Sequence, residues 1–261
     1  MSTAIISDIH GNAVALKSVL QDIESRTEIE RIVCLGDIIG YGPEPLECVD
    51  LVAEKCAWSL MGNHDFGVLY EPTNFNPGAE SAAYWTRDQF DAEQDEEARA
   101  RRYGFLGKLR VRVVEPAGEI TSRALLAVHG SPRKPINEYI FPDDALNSPD
   151  KMKQVFDLIE GIAIVGHTHV PGIFTDEPDF YPPGEIGDGE RYKFIEGEKA
   201  IINVGSVGQP RDLDPRASYA VLDNEGVSFH RAEYTIAETA DKIREIPELN
   251  DWLADRLYEG R

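Results

Sequence analysis

The sequence contains no long hydrophobic run and no secretion signal. Spanning a bilayer takes about 18 consecutive apolar residues, and no segment of the 261-residue chain approaches that length. The N-terminal segment, MSTAIISDIHGN, also lacks a basic stretch followed by a long apolar stretch. We therefore expect a cytoplasmic protein that does not insert into membranes.

Cysteine is scarce, since the chain has only Cys34, Cys48 and Cys56. Their number is odd and no two of them have the CxxC spacing. This pattern argues against a disulfide framework and against a zinc site built from thiolates. The interpretation that remains is three reduced, buried thiols.

Positive charge is also in short supply, because 26 Lys and Arg face 47 Asp and Glu, giving a net charge of −21. Affinity for nucleic acids depends largely on Lys and Arg that displace counterions from phosphates. A stable complex with DNA or RNA is therefore not expected. A small anionic substrate remains compatible with the acidity, since bound divalent cations dominate the electric field around them.

Short apolar, β-branched segments of strand length recur along the chain, each next to Gly, Asp, His or Asn. They are residues 3–7, 31–35, 57–61, 124–128, 162–165, 200–204 and 218–222. Helical patterns at 12–24 and 43–55 separate the first of them, which predicts βαβ units and a largely parallel sheet. From Gly172 onward the segments follow each other too closely for helices and predict antiparallel strands.

The composition favours one domain with two additions. A chain of 261 residues with 42% hydrophobic content buries one substantial core. Segment 67–108 interrupts the strand–helix rhythm with a turn-rich start and a charged helix at about 80–102, which predicts a cap inserted into the domain. Residues 235–261 have the pattern of an amphipathic helical tail.

Five short polar clusters stand directly after predicted strands, and they contain five of the six histidines. The clusters are SDIHGN (7–12), LGDIIGYGP (35–43), GNHD (62–65), VHGS (128–131) and GHTH (166–169). Open α/β sheets place their ligand sites at the carboxyl ends of strands, so this distribution favours one common site. Residues two apart on extended backbone project to the same side, which suits the pairs Asp8/His10 and His167/His169 for binding a metal ion.

The donor groups in these clusters indicate the kind of metal site. Carboxylate, imidazole and amide groups without thiolates favour Mn, Fe, Zn or a similar cation over a structural zinc site. Seven donors exceed one tetrahedral centre, so we expect two metal ions about 3.5–4 Å apart that share a carboxylate. The seven donors are Asp8, His10, Asp37, Asn63, His129, His167 and His169. Such a site lowers the pKa of water and stabilises an in-line displacement at phosphorus.

Together and in this order, the five clusters resemble those of the calcineurin-like metallophosphoesterase superfamily. The resemblance extends from Asp8 to His169 and implies a four-layer α/β sandwich, in which two mixed β-sheets pack face to face with helices outside. It also implies that water activated between two divalent metals attacks the phosphate ester. The implied ligands are Asp8, His10 and His169 for the first metal, Asn63, His129 and His167 for the second, and Asp37 as a bridge.

The same resemblance implies roles for side chains that contact the substrate. His64 would contact the phosphate, together with Asn63, and protonate the leaving alkoxide, while Asp65 orients the His64 ring. The segment NVGSVGQPRD (203–212) resembles a late motif of the small prokaryotic phosphodiesterase branch. Arg211 in this segment either approaches the substrate or forms a salt bridge within its loop.

Two departures bear on the substrate class. Protein Ser/Thr phosphatases of the superfamily usually place an Arg shortly after the bridging Asp and end the third motif in Glu, whereas this chain has GDIIGYGP and GNHD. A guanidinium binds the oxygens of a phosphomonoester through two charged hydrogen bonds. Because this Arg is missing, the resemblance favours a phosphodiesterase over a protein phosphatase. We expect a small phosphoester as the substrate and manganese as the metal, with Fe, Zn, Ni or Mg as alternatives. A homo-oligomer remains open.

The alternative to catalysis is a metal-containing binding or scaffold protein of the same fold. The resemblance implies that such members arise by losing the leaving-group histidine. Here His64 and every ligand position are present, so the sequence favours an enzyme.

Overall fold

The computed structural model describes residues 2–177, 179–186 and 191–261. These residues form two six-stranded β-sheets. In chain order the strands are β1 (Ser2–Ile6), β2 (Ile29–Cys34), β3 (Trp58–Ser59), β4 (Arg112–Glu115), β5 (Leu125–Val128), β6 (Ile162–Val165), β7 (Gly172–Thr175), β8 (Asp179–Tyr181), β9 (Arg191–Lys193), β10 (Ala200–Asn203), β11 (Ala217–Leu222) and β12 (Gly226–Ala232).

Both sheets are mixed. The first has the strand order β3-β2-β1-β11-β12-β9, with β1, β2 and β3 parallel and the other strands paired antiparallel. The second has the order β4-β5-β6-β10-β7-β8, with β5, β6 and β10 parallel. In this sheet β4, β7 and β8 pair antiparallel with their neighbours. The parallel strands of each sheet therefore end at a common edge, as the sequence predicted for the first half of the chain.

Helices occupy most of the connections between strands. They are α1 (Ala13–Glu24), α2 (Pro45–Lys55), α3 (Asn63–Leu69), α4 (Pro77–Ala92), α5 (Glu96–Leu106), α6 (Asp144–Asn147), α7 (Pro149–Phe156), α8 (Ile236–Arg244) and α9 (Trp252–Glu259). A single 3₁₀ turn, Pro183–Glu185, follows β8. Among the described residues, none of these helices combines the length and apolarity needed to span a bilayer.

Alternating side chains divide the core into layers. Ile5 of β1 packs with Ile164 of β6 in a cluster between the two sheets. Its neighbour Ile6 belongs to a second cluster that includes Leu16 of α1. Val165 of β6 likewise packs in a cluster with residues of α7 on the far side of the second sheet. Since successive strand residues point to opposite faces, each sheet has two buried faces, and the predicted α/β sandwich is confirmed.

The segment predicted as a cap, 67–108, contains the end of α3 and the two helices α4 and α5 instead of one long charged helix. The chain leaves α4 at Glu93 and enters α5 after Asp95, whose side chain accepts the N–H groups of Glu97 and Ala98. An N-cap aspartate of this kind satisfies free amides and begins a new helix. The expectation of one helix at about 80–102 was therefore wrong at this point, because local capping outweighs the continuous charged pattern.

The C-terminal segment is also split into two helices, and both pack toward the inserted segment. Trp85 of α4 shares an apolar cluster with Leu253 of α9. Ser81 Oγ donates a hydrogen bond to the main-chain oxygen of Glu248 at 2.8 Å. Tyr41, from the loop after β2, belongs to the same cluster. The insertion and the tail are thus anchored to one another beside a loop that carries predicted site residues.

Candidate metal centre

The seven predicted donors gather where the parallel strands of both sheets end. Asp8 and Asp37 follow β1 and β2 of the first sheet, while His129 follows β5 of the second. The carboxyl ends of parallel strands lie at the same edge of a sheet, and the face-to-face packing brings the two edges together. His10 and His169 meet although 159 positions separate them in the sequence.

Five of the seven donors have a left-handed backbone conformation. The φ angle is +53° at Asp8, +50° at His10 and at Asp37, +69° at His167 and +63° at His169. This region is unfavourable for residues that carry a Cβ. Strained residues of this kind concentrate at ligand and catalytic sites, where the surrounding structure holds them. Here hydrogen bonds between strand ends, such as His10 N to Asp37 O at 2.9 Å, hold the turns in place.

The first group of donors consists of Asp8, His10 and His169, whose ligand atoms lie within 4.8 Å of one another. Nε2 of His10 is 3.1 Å from Nε2 of His169, and the His169 nitrogen is 3.2 Å from Asp8 Oδ1. The Asp8 carboxylate also accepts the main-chain N–H of His167 at 3.0 Å. Two imidazole nitrogens and an oriented carboxylate therefore face one small volume.

The second group consists of Asp37, His129 and His167, with Asn63 beside them. Nε2 of His129 is 3.2 Å from Nδ1 of His167 and 3.3 Å from Asp37 Oδ2. The same nitrogen is 3.3 Å from Asn63 Oδ1. This group offers nitrogen, carboxylate and amide oxygen donors and no sulfur, as the sequence predicted.

Asp37 lies between the two groups. Its Oδ2 atom is 3.7 Å from His10 Nε2 and 3.3 Å from His129 Nε2. Its Oδ1 atom accepts the N–H of His64 at 2.8 Å. Gly62 allows this approach, since a Cβ at residue 62 would lie only 2.0 Å from Asp37 Oδ1. The carboxylate is therefore within reach of both groups.

Main-chain oxygens orient two of the imidazoles. Nδ1 of His129 donates to Leu35 O at 3.0 Å, and Nδ1 of His169 donates to Gln209 O at 2.6 Å. A carbonyl oxygen accepts only, so each of these nitrogens carries the proton. The opposite nitrogen, Nε2, then has a free lone pair directed at the donor group, which is the usual arrangement of metal-binding histidines.

The charges at the centre fit divalent cations. Burial opposes ionisation of Asp8, but the neighbouring His169 and His129 outweigh it and hold the pKa of Asp8 below its ordinary value. Burial also opposes protonation of His129, yet the carboxylate of Asp37 raises the pKa of this imidazole to about 9. The two buried carboxylates thus attract positive charge strongly. Metal cations would satisfy that demand, and Nδ1 of His167, which faces the second donor group, would bind one of them. The opposite nitrogen, Nε2 of His167, is buried without a partner in the described part of the chain.

His64 lies at the start of α3 and lines the adjoining cavity. Its Nδ1 atom is buried and has no hydrogen-bond partner in residues 2–177, 179–186 and 191–261. That nitrogen faces Gly40, where φ is +89° and a Cβ would lie 2.6 Å from it. Burial, assisted by the charge of Arg211, lowers the pKa of His64 to about 4 against the influence of Asp37. The free imidazole is therefore neutral near pH 7.

The predicted contact between Asp65 and the His64 ring is absent. Asp65 Oδ2 accepts the N–H groups of Asp37 at 2.8 Å and Gly62 at 3.0 Å. Asp65 Oδ1 accepts those of Ile38 at 2.9 Å and Ile39 at 3.3 Å. Burial and the charge of Asp37 raise the pKa of Asp65 to about 7, although these four amides favour the ionised form. Asp65 instead ties the loop after β2 to the start of α3, because both oxygens are occupied by the backbone.

A cavity of about 330 Å³ opens beside the donors. Its lining includes His64, Asn63 and His167 on one side and part of the inserted segment on the other. The residues contributed by that segment are Glu71, Thr73, Asn74, Phe75, Asn76 and Ala79. The insertion therefore forms one wall of the space next to the metal centre.

Arg211 lies among the site residues. Its Nη2 atom donates to Gln209 Oε1 at 2.8 Å, and its main-chain N donates to His169 O at 3.2 Å. Its Nε atom is buried without a partner, and it forms no ion pair with any described carboxylate. Of the two predictions for this residue, the loop salt bridge is therefore absent.

Three further residues at the site escaped the sequence analysis. Tyr41 lies within the second cluster but was not singled out, and Gln209 lies in the late motif beside Arg211. Tyr139 stacks on His167 with ring centroids 3.7 Å apart and an interplanar angle of 17°. No motif surrounds Tyr139 in the sequence, so only the tertiary structure reveals its position.

Known proteins share this architecture. A family model described as the calcineurin-like phosphoesterase superfamily domain matches residues 1–226. An uncharacterized protein of Methanocaldococcus jannaschii is 37% identical over 263 residues, covering 99% of this chain and 98% of that protein. A crystal structure of a metallophosphoesterase from Sphaerobacter thermophilus has a TM-score of 0.80 and 38% identity, covering 100% of this chain and 99% of the other.

A shorter similarity involves a nucleotide-hydrolysing enzyme. A symmetrical bis(5'-nucleosyl)-tetraphosphatase of Erwinia tasmaniensis is 35% identical over 71 residues, which is 26% of each chain. The matches along the whole length confirm the family that the five clusters resemble. This chain belongs to the calcineurin-like phosphoesterase superfamily.

Proposed function

We propose that this protein is a metal-dependent hydrolase of small phosphate esters that prefers phosphodiesters. The observation that carries the proposal is the pair of donor groups adjoining at Asp37, with the cavity-lining His64 beside them. Hydrolysis of a phosphoester needs activated water, stabilisation of charge on the phosphoryl oxygens and a proton for the leaving oxygen. The donor groups and His64 offer these functions.

The proposed metal ligands follow the two donor groups. Asp8, His10 and His169 bind one divalent cation, Asn63, His129 and His167 bind the other, and Asp37 binds both. Manganese is the proposed metal, because nitrogen and oxygen donors without thiolate suit it. When bound, two such cations lower the pKa of water and stabilise both the attacking and the leaving oxygen of an in-line displacement.

His64 is the proposed proton donor to the leaving oxygen, and Asn63 contacts the phosphoryl group beside it. Because Nδ1 of His64 is buried against Gly40, Nε2 is the nitrogen left for the cavity. A bound phosphoryl anion favours the protonated imidazole, since an adjacent negative charge opposes the effect of burial. The proton on Nε2 then passes to the leaving alkoxide.

The cavity supports a small substrate. Its volume of about 330 Å³ lies at the low end of the range for small-molecule sites, roughly 300–1,000 Å³. The inserted segment forms one wall, which restricts access by a folded phosphoprotein. The absence of an Arg shortly after Asp37 also favours a singly charged diester over a monoester. Similarity to a bis(5'-nucleosyl)-tetraphosphatase over 71 residues supports phosphoester hydrolysis without naming the substrate of this chain.

The test is turnover of bis-p-nitrophenyl phosphate and p-nitrophenyl phosphate by the full chain, with and without added Mn²⁺. We expect metal-dependent hydrolysis with the diester as the better substrate. The variant His64→Ala should lower kcat by about 10²- to 10⁴-fold, the usual contribution of general acid catalysis. Metal content, measured by mass spectrometry, should remain that of the wild type because His64 is not a proposed ligand.

His230→Ala provides the matched control, because this partly buried histidine lies on β12 away from the donor groups. Its activity should equal that of the wild type. Two bound metals without turnover of either ester, or of a panel of cyclic nucleotides and dinucleoside polyphosphates, would contradict the proposal. That outcome would indicate the binding or scaffold role instead.

A further inference from the structure

Tyr41 has an unfavourable backbone conformation although it is not one of the proposed metal ligands. Its φ angle of +65° places a bulky side chain in the left-handed region, where strain is expected. The side chain is 8% exposed and lines the cavity. Its ring centroid lies 4.3 Å from that of His64 and 4.9 Å from that of His10. The strained loop therefore holds a phenol next to the proposed proton donor and a proposed metal ligand.

The Tyr41 hydroxyl has a donor beside it but no acceptor. Burial raises the pKa of Tyr41, while the charge of Arg211 and hydrogen bonding to it act in the opposite direction. A guanidinium only donates hydrogen bonds, so the phenolic hydrogen remains available. Within the described ranges of the chain, no residue accepts a hydrogen bond from this hydroxyl. Because Tyr41 lines the cavity, a ligand there can supply the acceptor for this hydrogen.

Arg211 forms no ion pair with a carboxylate in residues 2–177, 179–186 and 191–261. Among these residues its buried Nε atom also has no hydrogen-bond partner. After burial, the charge of Arg211 is the main influence that lowers the pKa of His169, so this charge acts within the metal centre. An anionic ligand at this position would pair with the charge and accept the hydrogen of the buried Nε atom.

A second arginine, Arg256, adds positive charge near Arg211 and Tyr41 but has other contacts. Its guanidinium lies 4.2 Å from the centroid of the Trp252 ring, and its Nε donates to the main-chain oxygen of Arg261. Arg256 is absent from the lining of the cavity. Arg211 is also absent from that lining, but its charge acts on Tyr41 and on His64, which both line the cavity. Arg211 is therefore the cation nearest to the Tyr41 hydroxyl that has no competing contact with another ring or with the chain terminus.

We propose that Tyr41 is a specificity-determining residue whose hydroxyl, together with Arg211, binds a phosphoryl oxygen of a phosphodiester substrate. This inference deepens the proposed function and rests on it. The pair offers one neutral donor and one cation. A phosphodiester carries a single negative charge, whereas a phosphomonoester carries about −1.5 to −2 near pH 7. The neutral phenol suits the diester, and a second guanidinium in its place would suit the monoester.

Tyr41→Phe removes the hydroxyl and keeps the aromatic ring. We expect kcat/KM for bis-p-nitrophenyl phosphate to fall about tenfold, mainly through KM, which corresponds to one hydrogen bond to a charged group. Metal content and the midpoint of thermal unfolding should stay at their wild-type values. Tyr70→Phe is the matched control, because Tyr70 is 54% exposed at the end of α3 and should have wild-type kinetics.

Two further measurements make the proposal specific. Tyr41→Arg should raise the ratio of monoester to diester kcat/KM about tenfold, since a bidentate cation then meets the phosphoryl group. Titration calorimetry with inorganic phosphate on the Mn²⁺-loaded protein should give about tenfold weaker binding to Tyr41→Phe than to the wild type. Equal phosphate affinity of these two proteins, or an unchanged ester ratio in Tyr41→Arg, would overturn the inference. If the wild type hydrolyses neither ester, the proposed function fails, while the calorimetry still tests Tyr41.

Discussion

His64 and His230 lie in two regions that have similar charged neighbours but differ in how many polar groups have hydrogen-bond partners. Burial lowers the pKa of both imidazoles to about 4, and each has one aspartate and one arginine nearby. The neighbouring pairs are Asp37 and Arg211 for His64, and Asp22 and Arg26 for His230. The value of the pKa alone therefore does not distinguish the proposed catalytic residue from the other one.

The difference lies in whether the protein itself satisfies the polar groups. Around His230, Asp22 forms an ion pair with Arg26 at 3.2 Å and accepts the hydroxyl hydrogen of Tyr219. The His230 ring stacks on Tyr219 with centroids 5.1 Å apart. Around His64, by contrast, Nδ1 of that ring, Nε of Arg211 and Nε2 of His167 lack partners among the described residues. The region around His64 therefore brings together three unsatisfied nitrogens that a ligand could pair with, although single unsatisfied groups also occur elsewhere in the described residues.

The largest expected effect is the difference in activity between substitutions of Asp37 and of Asp22. Asp37→Asn removes the carboxylate between the donor groups and should lower kcat/KM by about 10³-fold or more, since metal ions contribute several kcal/mol to the transition state. Asp22→Asn should keep the activity and lose about 1 kcal/mol of unfolding free energy, because it weakens only an internal hydrogen-bonded pair. Kinetics and urea unfolding of both variants check this. Similar losses of activity would break the comparison.

Metal binding should raise the unfolding free energy through the donor groups around Asp37 and not through the region around Asp22. At a Mn²⁺ concentration of about 100 times Kd, a ligand that binds the folded state alone adds about 2.7 kcal/mol to the unfolding free energy. We expect this gain in the wild type and in Asp22→Asn, and its loss on chelation or in Asp37→Asn. Thermal unfolding with and without Mn²⁺ measures it. An equal gain in Asp37→Asn would place the metal elsewhere.

The titration of His230 should make stability depend on pH. The pKa of His230 is about 4 in the folded protein and 6.5 ordinarily. Between these two pH values, His230 is protonated in the unfolded chain and neutral in the folded protein. Stability therefore falls as the pH drops from about 6.5 to about 4, by about 1 kcal/mol once the partial exposure of the ring is taken into account. His230→Gln should reduce this loss in urea unfolding at pH 7, 6 and 5. An identical decline in both proteins would contradict the assignment.

The smallest expected effect concerns the inserted wall. Phe75 lines the cavity and its ring centroid lies 4.6 Å from that of His64. Phe75→Ala should widen the cavity and raise the rate on a bulky ester relative to a small one about threefold, less than 1 kcal/mol. Tyr84→Ala, in the same insertion but 41% exposed and outside the cavity lining, serves as the control. Unchanged relative rates in Phe75→Ala would refute a role of the insertion in limiting substrate size.

The sequence located the residues that converge because they occur in short motifs at strand ends; their role as metal ligands stays a prediction. Periodicity located β1, β2, β5 and β6 to within about two residues, and the residues after them are the ones that converge. The break between α4 and α5 was missed because a single capping aspartate, Asp95, outweighs a continuous charged pattern. The short edge strand β4 was missed because its residues alternate weakly.

The residues around the donors were harder to predict. Asp65 was expected to orient a ring, but four main-chain amides occupy its carboxylate. Tyr139 reaches His167 from a loop that carries no motif. Such contacts depend on the relative positions of loops that are distant in the sequence, and local patterns contain no information about those positions.

The sequence by itself determined which groups are available: carboxylates, imidazoles and an amide at the ends of alternating strands, without thiolates and with little positive charge. Their chemistry and spacing favour a site for divalent metal ions without thiolate ligands. The tertiary structure decided which of these groups share a centre and which remain unsatisfied, because only packing of the two sheets places Asp8, Asp37 and His167 at one edge. The same packing places Tyr41 and Arg211 beside them, where no described residue accepts a hydrogen bond from the Tyr41 hydroxyl or forms an ion pair with Arg211.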